Sequence, residues 1–296
     1  MQTWSPSGPI VLLAGTPAGG GQDRAARALE AALESTGAVD VDVRNVVGRG
    51  GGVAWQSVAR RSGDGHLLAV SSPTLVTNAI ADAGEVQIDE LTHLAILCTE
   101  HFAFVASPDG RDLSSVLARK GTVAAVATSL HNVNHAALAA VTRRLGTDPR
   151  RLEVRAYGSA RTAVAAVASG TVDVCVVSAA SALPELEEGS VRIVAVSAPV
   201  RLPGRLSGVP TWSELGVQCE FGTWRGVVAP PNLEPEKQEF WTATLERAAR
   251  TPVWTDALRS HMWAETLLLG SEAEDFVERE DRRLRSALLD LGVLHG

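Results

Sequence analysis

The stretch TPAGGGQDRAAR, residues Thr16–Arg27, joins an apolar run to a helical pattern. The run before it, IVLLA at Ile10–Ala14, is typical of a buried strand, and the apolar positions after it recur every three or four residues, as in a helix. A glycine turn between a strand and a helix presents backbone N–H groups to an anion. Because glycine costs backbone entropy unless a positive φ or a close approach requires it, we expect a small-anion site here.

Nucleotide-binding motifs do not account for this turn. A P-loop has Lys and Ser/Thr where this chain has Gly21 and Gln22. A second cluster, NVVGRGGGVAW at Asn45–Trp55, misses the dinucleotide pattern G-x-G-x-x-G because Val53 holds its last glycine position. Either cluster alone is explained equally well as a tight turn that closes onto a helix. Two of them within one short segment favour a shared cleft.

Composition narrows the class of protein. The chain has 296 residues, of which 45% are hydrophobic and 21% charged, and this predicts a soluble globular protein with two lobes. A net charge of −7 with scattered arginines argues against a nucleic-acid or anionic-membrane surface. No apolar run approaches the roughly 20 residues that span a bilayer. We expect no cofactor, and Cys98 and Cys175 are interpreted as buried free thiols because they lie in apolar runs.

Short β-branched runs alternate with alanine- and leucine-rich helical patterns along most of the chain, which predicts an α/β protein with mainly parallel sheets flanked by helices. The predicted strands are Ile10–Ala14, Val39–Asn45, His66–Ser71, His93–Thr99, Ala103–Ala106, Thr122–Ala127, Leu152–Ala156, Val172–Val177 and Val191–Val196. The predicted helices include Gln22–Ser35, Trp55–Arg61, Asn134–Leu145 and Thr162–Ala168, with a last helix opened by a capping box at Ser271 and Glu274.

No Pro/Ser-rich linker divides the chain, so we expect the two lobes to be joined by strands. Two stretches suit that role, Thr92–Ser107 and Val217–Pro231. This places residues 1–102 and 226–296 in the first lobe and 103–225 in the second, with a hinged ligand cleft between them. A single large doubly wound sheet remains the alternative.

Several segments, taken in order, resemble one known family. Beside TPAGGGQDRAAR and NVVGRGGGVA, these are GDGHLLAVSS, SGTVDVCVVSAASALPELEEGSVRIVAVSA, GVPTWSELGV and WRGVVAPPNLEPE. They resemble the extracytoplasmic solute-binding proteins of tripartite tricarboxylate transporters, also called the Bug family, over almost the whole chain. The match of each segment alone is weak evidence, but the whole series of matches in the right order is specific.

The resemblance implies a type II periplasmic-binding fold, in which two α/β lobes clamp a small carboxylate: a di- or tricarboxylate, an amino acid or an aromatic acid. It also implies a periplasmic protein, with an export signal removed upstream of Trp4, that delivers its ligand to membrane transporter subunits or a sensor. A monomer is expected, with no nucleic-acid partner and no metal.

The residues expected at the ligand follow from the first loop, from hydroxyls after strands and from positions that match the family motifs. Asp23 could pair with a ligand ammonium or favour the helix that it begins. Ser71 and Thr74 could instead form a turn, Ser178 and Ser181 could cap a helix, and Arg161 could lie on the surface. The full set is Gly19, Gly20, Gly21, Gln22, Asp23, Ser71, Thr74, Ser129, His131, Asn134, His135, Tyr157, Ser159, Arg161, Ser178 and Ser181.

His131 and His135 have a spacing that could hold a metal on one helical face, but no third donor lies near them in the sequence, so hydrogen bonding is the favoured interpretation. Catalytic motifs such as G-x-S-x-G and H-E-x-x-H do not occur. A solute-binding protein is therefore expected rather than an enzyme. A cleft enzyme acting on a carboxylated metabolite and a cytoplasmic sensing module remain the alternatives.

Overall fold

The computed structural model describes residues 4–82, 85–109, 111–127, 130, 132–218 and 221–290. Its strands are β1 (Ile10–Ala14), β2 (Val41–Asn45), β3 (Leu67–Ser71), β4 (Thr92–Ala106), β5 (Val123–Ala127), β6 (Glu153–Tyr157), β7 (Val174–Ser178), β8 (Arg192–Val196), β9 (Gly222–Ala229) and β10 (Trp263–Leu269). Its helices are α1 (Gly21–Ser35), α2 (Gly52–Ala59), α3 (Pro73–Ala81), α4 (Leu113–Ala118), α5 (Val133–Arg144), α6 (Ala160–Ala168), α7 (Leu183–Glu187), α8 (Pro235–Ala249), α9 (Pro252–Ser260) and α10 (Ser271–Asp290).

The chain forms two compact units. Among the described residues, unit 1 comprises positions 4–99 and 224–283, and unit 2 comprises positions 100–223 and 284–290. Strands β4 and β9 run from one unit into the other without a break. The α/β class and the two crossing strands expected from the sequence are confirmed.

The sheet of unit 1 has the strand order β2-β1-β3-β9-β4-β10. Strand β1 is parallel to both β2 and β3, whereas β9 runs antiparallel to β3. Helix α1 lays an apolar face against the sheet and against α8 and α9, in a core that includes Leu29, Leu33, Trp241 and Trp254. A smaller core lies under α2, where the buried Trp55 donates its Nε1–H to the carbonyl of Val70 at 2.9 Å.

The sheet of unit 2 has the order β8-β4-β7-β5-β6. Strand β5 is parallel to β6 and β7, and β4 is antiparallel to β7 and β8. Each unit therefore has three parallel strands whose carboxyl ends share one edge, with an antiparallel crossing strand beside them. Loops at such an edge are the usual place for ligands in α/β folds.

Most of the predicted elements are found within two residues of their expected ends. One difference is that His93–Thr99 and Ala103–Ala106 belong to the single strand β4. The expected capping box is wrong by one residue, because α10 begins at Ser271 and the N–H of Glu274 bonds to the carbonyl of Gly270. Cys98 and Cys175 are both buried, as expected, and Cys175 is a free thiol. Within the described residues, no helix is both long and apolar enough to cross a membrane.

Candidate functional site

Three helices of unit 1 begin at the carboxyl edge of its parallel strands, and none of them has a side-chain cap. Their N-cap residues are Gly20 for α1, Gly51 for α2 and Ser72 for α3. In unit 2, by contrast, side chains of Asp112 and Asn132 cap α4 and α5. An uncapped N-terminus leaves N–H groups without intrahelical partners and carries the positive end of the helix dipole. This edge of unit 1 is therefore suited to an anion.

The first glycine loop, residues 15–20, is shaped by Asp23. The N–H of Gly19 donates to Oδ2 of Asp23 at 2.8 Å, and Nδ2 of Asn45 donates to Oδ1 at 2.8 Å. Nε of Arg27 lies 3.5 Å from the same Oδ1. Asp23 is only 6% exposed, so both of its oxygens are engaged within the protein. The structure thus gives Asp23 a role in holding the loop, while the expected contact with a ligand ammonium stays a prediction.

Helix α1 keeps free donors beyond this loop. The N–H of Asp23 donates to Oγ1 of Thr16 at 3.2 Å, which satisfies one amide of the first turn. The N–H groups of Gly21 and Gln22 have no hydrogen-bond acceptor within the described part of the chain. Gly19, with a φ of +77°, supplies the left-handed conformation that lets the loop turn into the helix.

The second glycine turn, residues 48–52, contains four successive positive φ angles at Gly48, Arg49, Gly50 and Gly51. Three of these residues are glycine, which adopts such angles readily, but Arg49 needs support. Nδ2 of Asn78 donates to its carbonyl at 2.8 Å.

The Arg49 side chain also has a partner: its Nη1 lies 2.8 Å from Oε1 of Glu85. Glu85 is buried, with 8% of its side chain exposed, whereas half of Arg49 is exposed. The sequence prediction missed Arg49, Asn78 and Glu85, and an arginine enclosed by glycines was the one available signal.

Gln22 connects the first glycine loop with the second glycine turn and approaches the start of α3. Its Oε1 accepts from the N–H of Gly15 at 2.9 Å, and its Nε2 donates to the carbonyl of Gly50 at 2.9 Å and approaches Oγ of Ser72 at 3.5 Å. The side chain is almost completely buried. The backbones of the first glycine loop and the second glycine turn are also in close contact, because a Cβ added to Gly15 would lie 2.3 Å from Cα of Gly51.

The junction of β3 and α3, residues 71–74, supplies two hydroxyls expected from the sequence. Ser71 is fully buried, and its Oγ has no hydrogen-bond partner in the described chain. The Cγ2 of Thr74 lies 2.8 Å from where a Cβ on Gly50 would stand, so the methyl group faces the second turn. Neither the hydroxyl nor the N–H of Thr74 has an acceptor within the described residues. Thr74 therefore adds two donors beside the glycine turns.

In unit 2, expected site residues also gather at the carboxyl edge of the parallel strands. Nδ2 of Asn134 donates to the carbonyl of Val176 at 2.8 Å, and Nδ1 of His135 donates to that of Leu130 at 2.6 Å. The hydroxyls of Ser178 and Ser181 are 2.7 Å apart. These side chains tie the loops after β5 and β7 to their own unit. Ser129 and His131 lie outside the described residues.

Three residues expected at the ligand lie at the end of β6 or just after it, and they have different surroundings. Ser159 caps α6, because its Oγ accepts from the N–H of Thr162 at 3.2 Å and the side chain of Thr162 bonds back. Tyr157 is the last residue of β6 and is half-buried, whereas Arg161 is exposed on the first turn of α6. Arg161 is thus exposed within unit 2, and its expected ligand contact stays a prediction.

The described residues at these loops show no metal site, and the shifted pKa values discussed next belong to Cys175 and His93. Among the described residues, no three His, Cys, Asp or Glu side chains come together as a metal site. Burial raises the pKa of the Cys175 thiol far above its usual range, which keeps it protonated. Burial lowers the pKa of His93, although its bond to the carbonyl of Ile88 opposes that shift.

The fold is shared with solved structures at low sequence identity. Rpa4515 of R. palustris, solved with adipate, has a TM-score of 0.83 and 21% identity, with 97% of this chain and 98% of that chain covered. MatC from Rhodopseudomonas palustris, solved with bound malate, has a TM-score of 0.79 and 22% identity, with 96% and 99% covered. These similarities show that the α/β fold is shared with these proteins.

Sequence comparison adds the family. Protein BugT of Bordetella pertussis is 23% identical over 300 residues, which cover 97% of this chain and 90% of BugT. The profile of the tripartite tricarboxylate transporter family receptor matches residues 25–268, which is most of the chain. The chain therefore belongs to the family of tripartite tricarboxylate transporter receptors, which are periplasmic solute-binding proteins and not enzymes.

Proposed function

We propose that this protein binds a small dicarboxylate in the periplasm and delivers it to a membrane transporter. The observation that carries the proposal is the meeting of three uncapped helix N-termini at one edge of unit 1, those of α1, α2 and α3. The malate and adipate bound by the two structural relatives are both dicarboxylates, which supports this class.

The first carboxylate of the ligand is held by N–H donors of unit 1. Those of Gly21, Gln22 and Thr74 are unused within the described chain, and the hydroxyl of Thr74 is a fourth donor. A hydrogen bond to a charged group contributes about 1.5–3 kcal/mol, and a helix N-terminus about 0.3–1 kcal/mol. A few such contacts together reach the roughly −8 kcal/mol of a micromolar complex. The site needs no arginine.

Unit 2 has its own polar side chains at the carboxyl edge of its parallel strands. Asn134, His135, Ser178 and Ser181 lie after β5 and β7 and are hydrogen-bonded within the unit, so a ligand contact from them stays a prediction. The exposed Arg161 adds a cation after β6.

Isothermal titration calorimetry of the purified protein tests the proposal. The probes are succinate, malate, glutarate, adipate and citrate, with glutamate and benzoate as other acids and adipamide as a neutral control. We expect micromolar affinity for at least one dicarboxylate and none for the diamide. Equal binding of acid and diamide, or no binding across the series, would contradict it. Chromatography of the recovered ligand must show it unchanged, since turnover would favour an enzyme.

The proposed location and partner need a separate measurement. Immunoblots of osmotic-shock fluid and cytoplasm from the native cells should place the protein in the shock fluid. Deletion of the gene should slow uptake of the dicarboxylate identified by calorimetry, while uptake of an unrelated sugar stays normal. A cytoplasmic protein, or unchanged dicarboxylate uptake, would contradict delivery to a transporter.

A further inference from the structure

The amide of Gln22 is used at both ends. Oε1 accepts from the N–H of Gly15, and Nε2 donates to the carbonyl of Gly50. An amide combines an acceptor and a donor in one flat group, whereas a carboxylate only accepts and a thioether does neither well. The partners fix which end is which, because Gly15 presents a donor and Gly50 an acceptor.

These bonds join two of the loops that lead into the uncapped helices, and Nε2 also approaches the start of the third helix. Gly15 opens the first glycine loop, Gly50 lies in the second turn, and Ser72, 3.5 Å from Nε2, is the N-cap of α3. Gln22 is 2% exposed, so bulk water has little access to replace a lost bond. The relative positions of the N-termini of α1 and α2 therefore depend in part on this side chain.

We propose that Gln22 is a positioning residue, whose side chain sets the geometry of the carboxylate donors without itself contacting the ligand. This inference rests on the proposed function, since it concerns the same anion site. It differs from the sequence expectation, in which Gln22 is a ligand contact. Only its backbone N–H, on the first turn of α1, is assigned to the carboxylate.

Two nearly isosteric variants test the inference, Gln22→Glu and Gln22→Met, with malate and adipate as probes. At about pH 7.5 the carboxylate introduced by Gln22→Glu cannot donate to Gly50, so both variants should bind about tenfold more weakly than the wild type. When the pH is lowered far enough to protonate this carboxyl, it can donate again. The affinity of Gln22→Glu should then return to within about threefold of the wild type measured at the same pH, while Gln22→Met stays weak.

The controls separate positioning from general stability. Gln56→Glu adds the same charge on α2, where the wild-type side chain is half-buried, and should leave affinity unchanged at both pH values. Urea unfolding reports the folded fraction of each variant. If Gln22→Met does not fold, the pH profile of Gln22→Glu still tests the positioning role of Gln22.

The possible outcomes are distinct. Wild-type affinity in both variants, or a weakening of Gln22→Glu that does not recover at low pH, would overturn the positioning role alone. Reduced stability with unchanged affinity of the folded fraction would do the same, because Gln22 would then be structural only. If the wild type binds neither probe nor any other acid of the series, the proposed function fails, and this inference fails with it.

Discussion

Gly15 and Gly51 are in backbone contact: a Cβ on Gly15 would lie 2.3 Å from Cα of Gly51 and 2.7 Å from Oε1 of Gln22. Neither neighbour is the end of a flexible chain with room to move. Gly15→Ala should therefore separate the two glycine turns and destabilise the protein by about 1–3 kcal/mol in urea unfolding. Gly208→Ala is the matched control, because a Cβ there meets no atom within 4 Å. Equal stability of the two variants would show that the turns are not packed as described.

Ser159 and Ser72 both precede a helix, but only Ser159 caps one with its side chain. Ser159→Ala should lower the free energy of unfolding by about 1 kcal/mol, the usual value of an N-cap. Ser72→Ala should cost less than about 0.5 kcal/mol, because its contact with Gln22 is at the limit of a hydrogen bond. Urea unfolding of both variants gives the comparison, and a reversed order would contradict the assigned caps.

Thr74 offers a hydroxyl donor whose removal need not disturb packing. Thr74→Val keeps the methyl group that faces Gly50 and deletes the hydroxyl. We expect dicarboxylate affinity to fall about tenfold, the effect of one hydrogen bond to a charged group, with the unfolding midpoint nearly unchanged. Calorimetry with malate and adipate measures the first effect and urea unfolding the second. Unchanged affinity would remove the Thr74 hydroxyl from the site.

The ion pair of Arg49 and Glu85 is asymmetric, because the carboxylate is buried and half of the arginine is exposed. Arg49→Met leaves a buried charge without its cation and should cost about 1–3 kcal/mol. Glu85→Gln frees a side chain that water can still reach, so it should cost about 1 kcal/mol or less. The double variant should be more stable than Arg49→Met alone. Urea unfolding at one pH tests this order, and a larger loss in Glu85→Gln would reverse the interpretation.

His93 should make stability depend on pH. Burial lowers the pKa of His93 in the folded protein below 6.5, its ordinary value, so the unfolded chain binds the proton more readily. The contribution of neutral His93 is thus present above about pH 6.5 and is lost as the pH falls through the folded pKa. The free energy of unfolding should decrease from about pH 7.5 to pH 5.5, and less so in His93→Gln.

His101 provides a second test of the same effect in the other unit. Burial also lowers its pKa, so His101→Gln should reduce the pH dependence in the same direction. The double variant should have the flattest profile between the two pH values. Profiles that match the wild type in all three variants would show that other groups control the acid sensitivity.

Local sequence patterns predict much of this fold because most strands are short apolar runs between helical patterns. Ile10–Ala14 is predicted with its observed ends, since five apolar residues are followed at once by a glycine turn. Strand β10 was missed because WAETLLL contains one β-branched residue and several good helix formers, so its pairing with β4 prevails over local propensity. Helix α3 was missed because its sequence, PTLVTNAIA, contains four β-branched residues, which favour strands. Its start, Ser72–Pro73, is nevertheless typical of a helix.

The candidate site is less predictable than the fold. The glycine turns are visible in the sequence, because positive φ angles select glycine. That Gln22 reaches Gly50 and that Glu85 reaches Arg49 depends on how β1, β2 and β3 are ordered in the sheet, which no local pattern encodes. Capping depends on rotamers in the same way, so Ser72 and Ser159 look alike in the sequence and differ in the structure.

The discontinuous make-up of unit 1 has a consequence for biosynthesis. Its first part ends at Thr99, and the part that supplies β9, β10, α8 and α9 begins at Trp224, after the contiguous body of unit 2. While the ribosome is still making unit 2, α1 has no Trp241 or Trp254 to cover its apolar face, and β3 lacks the antiparallel neighbour β9. The first part of unit 1 thus waits for the second part to be made, and it is where we expect chaperones to bind and truncated products to aggregate.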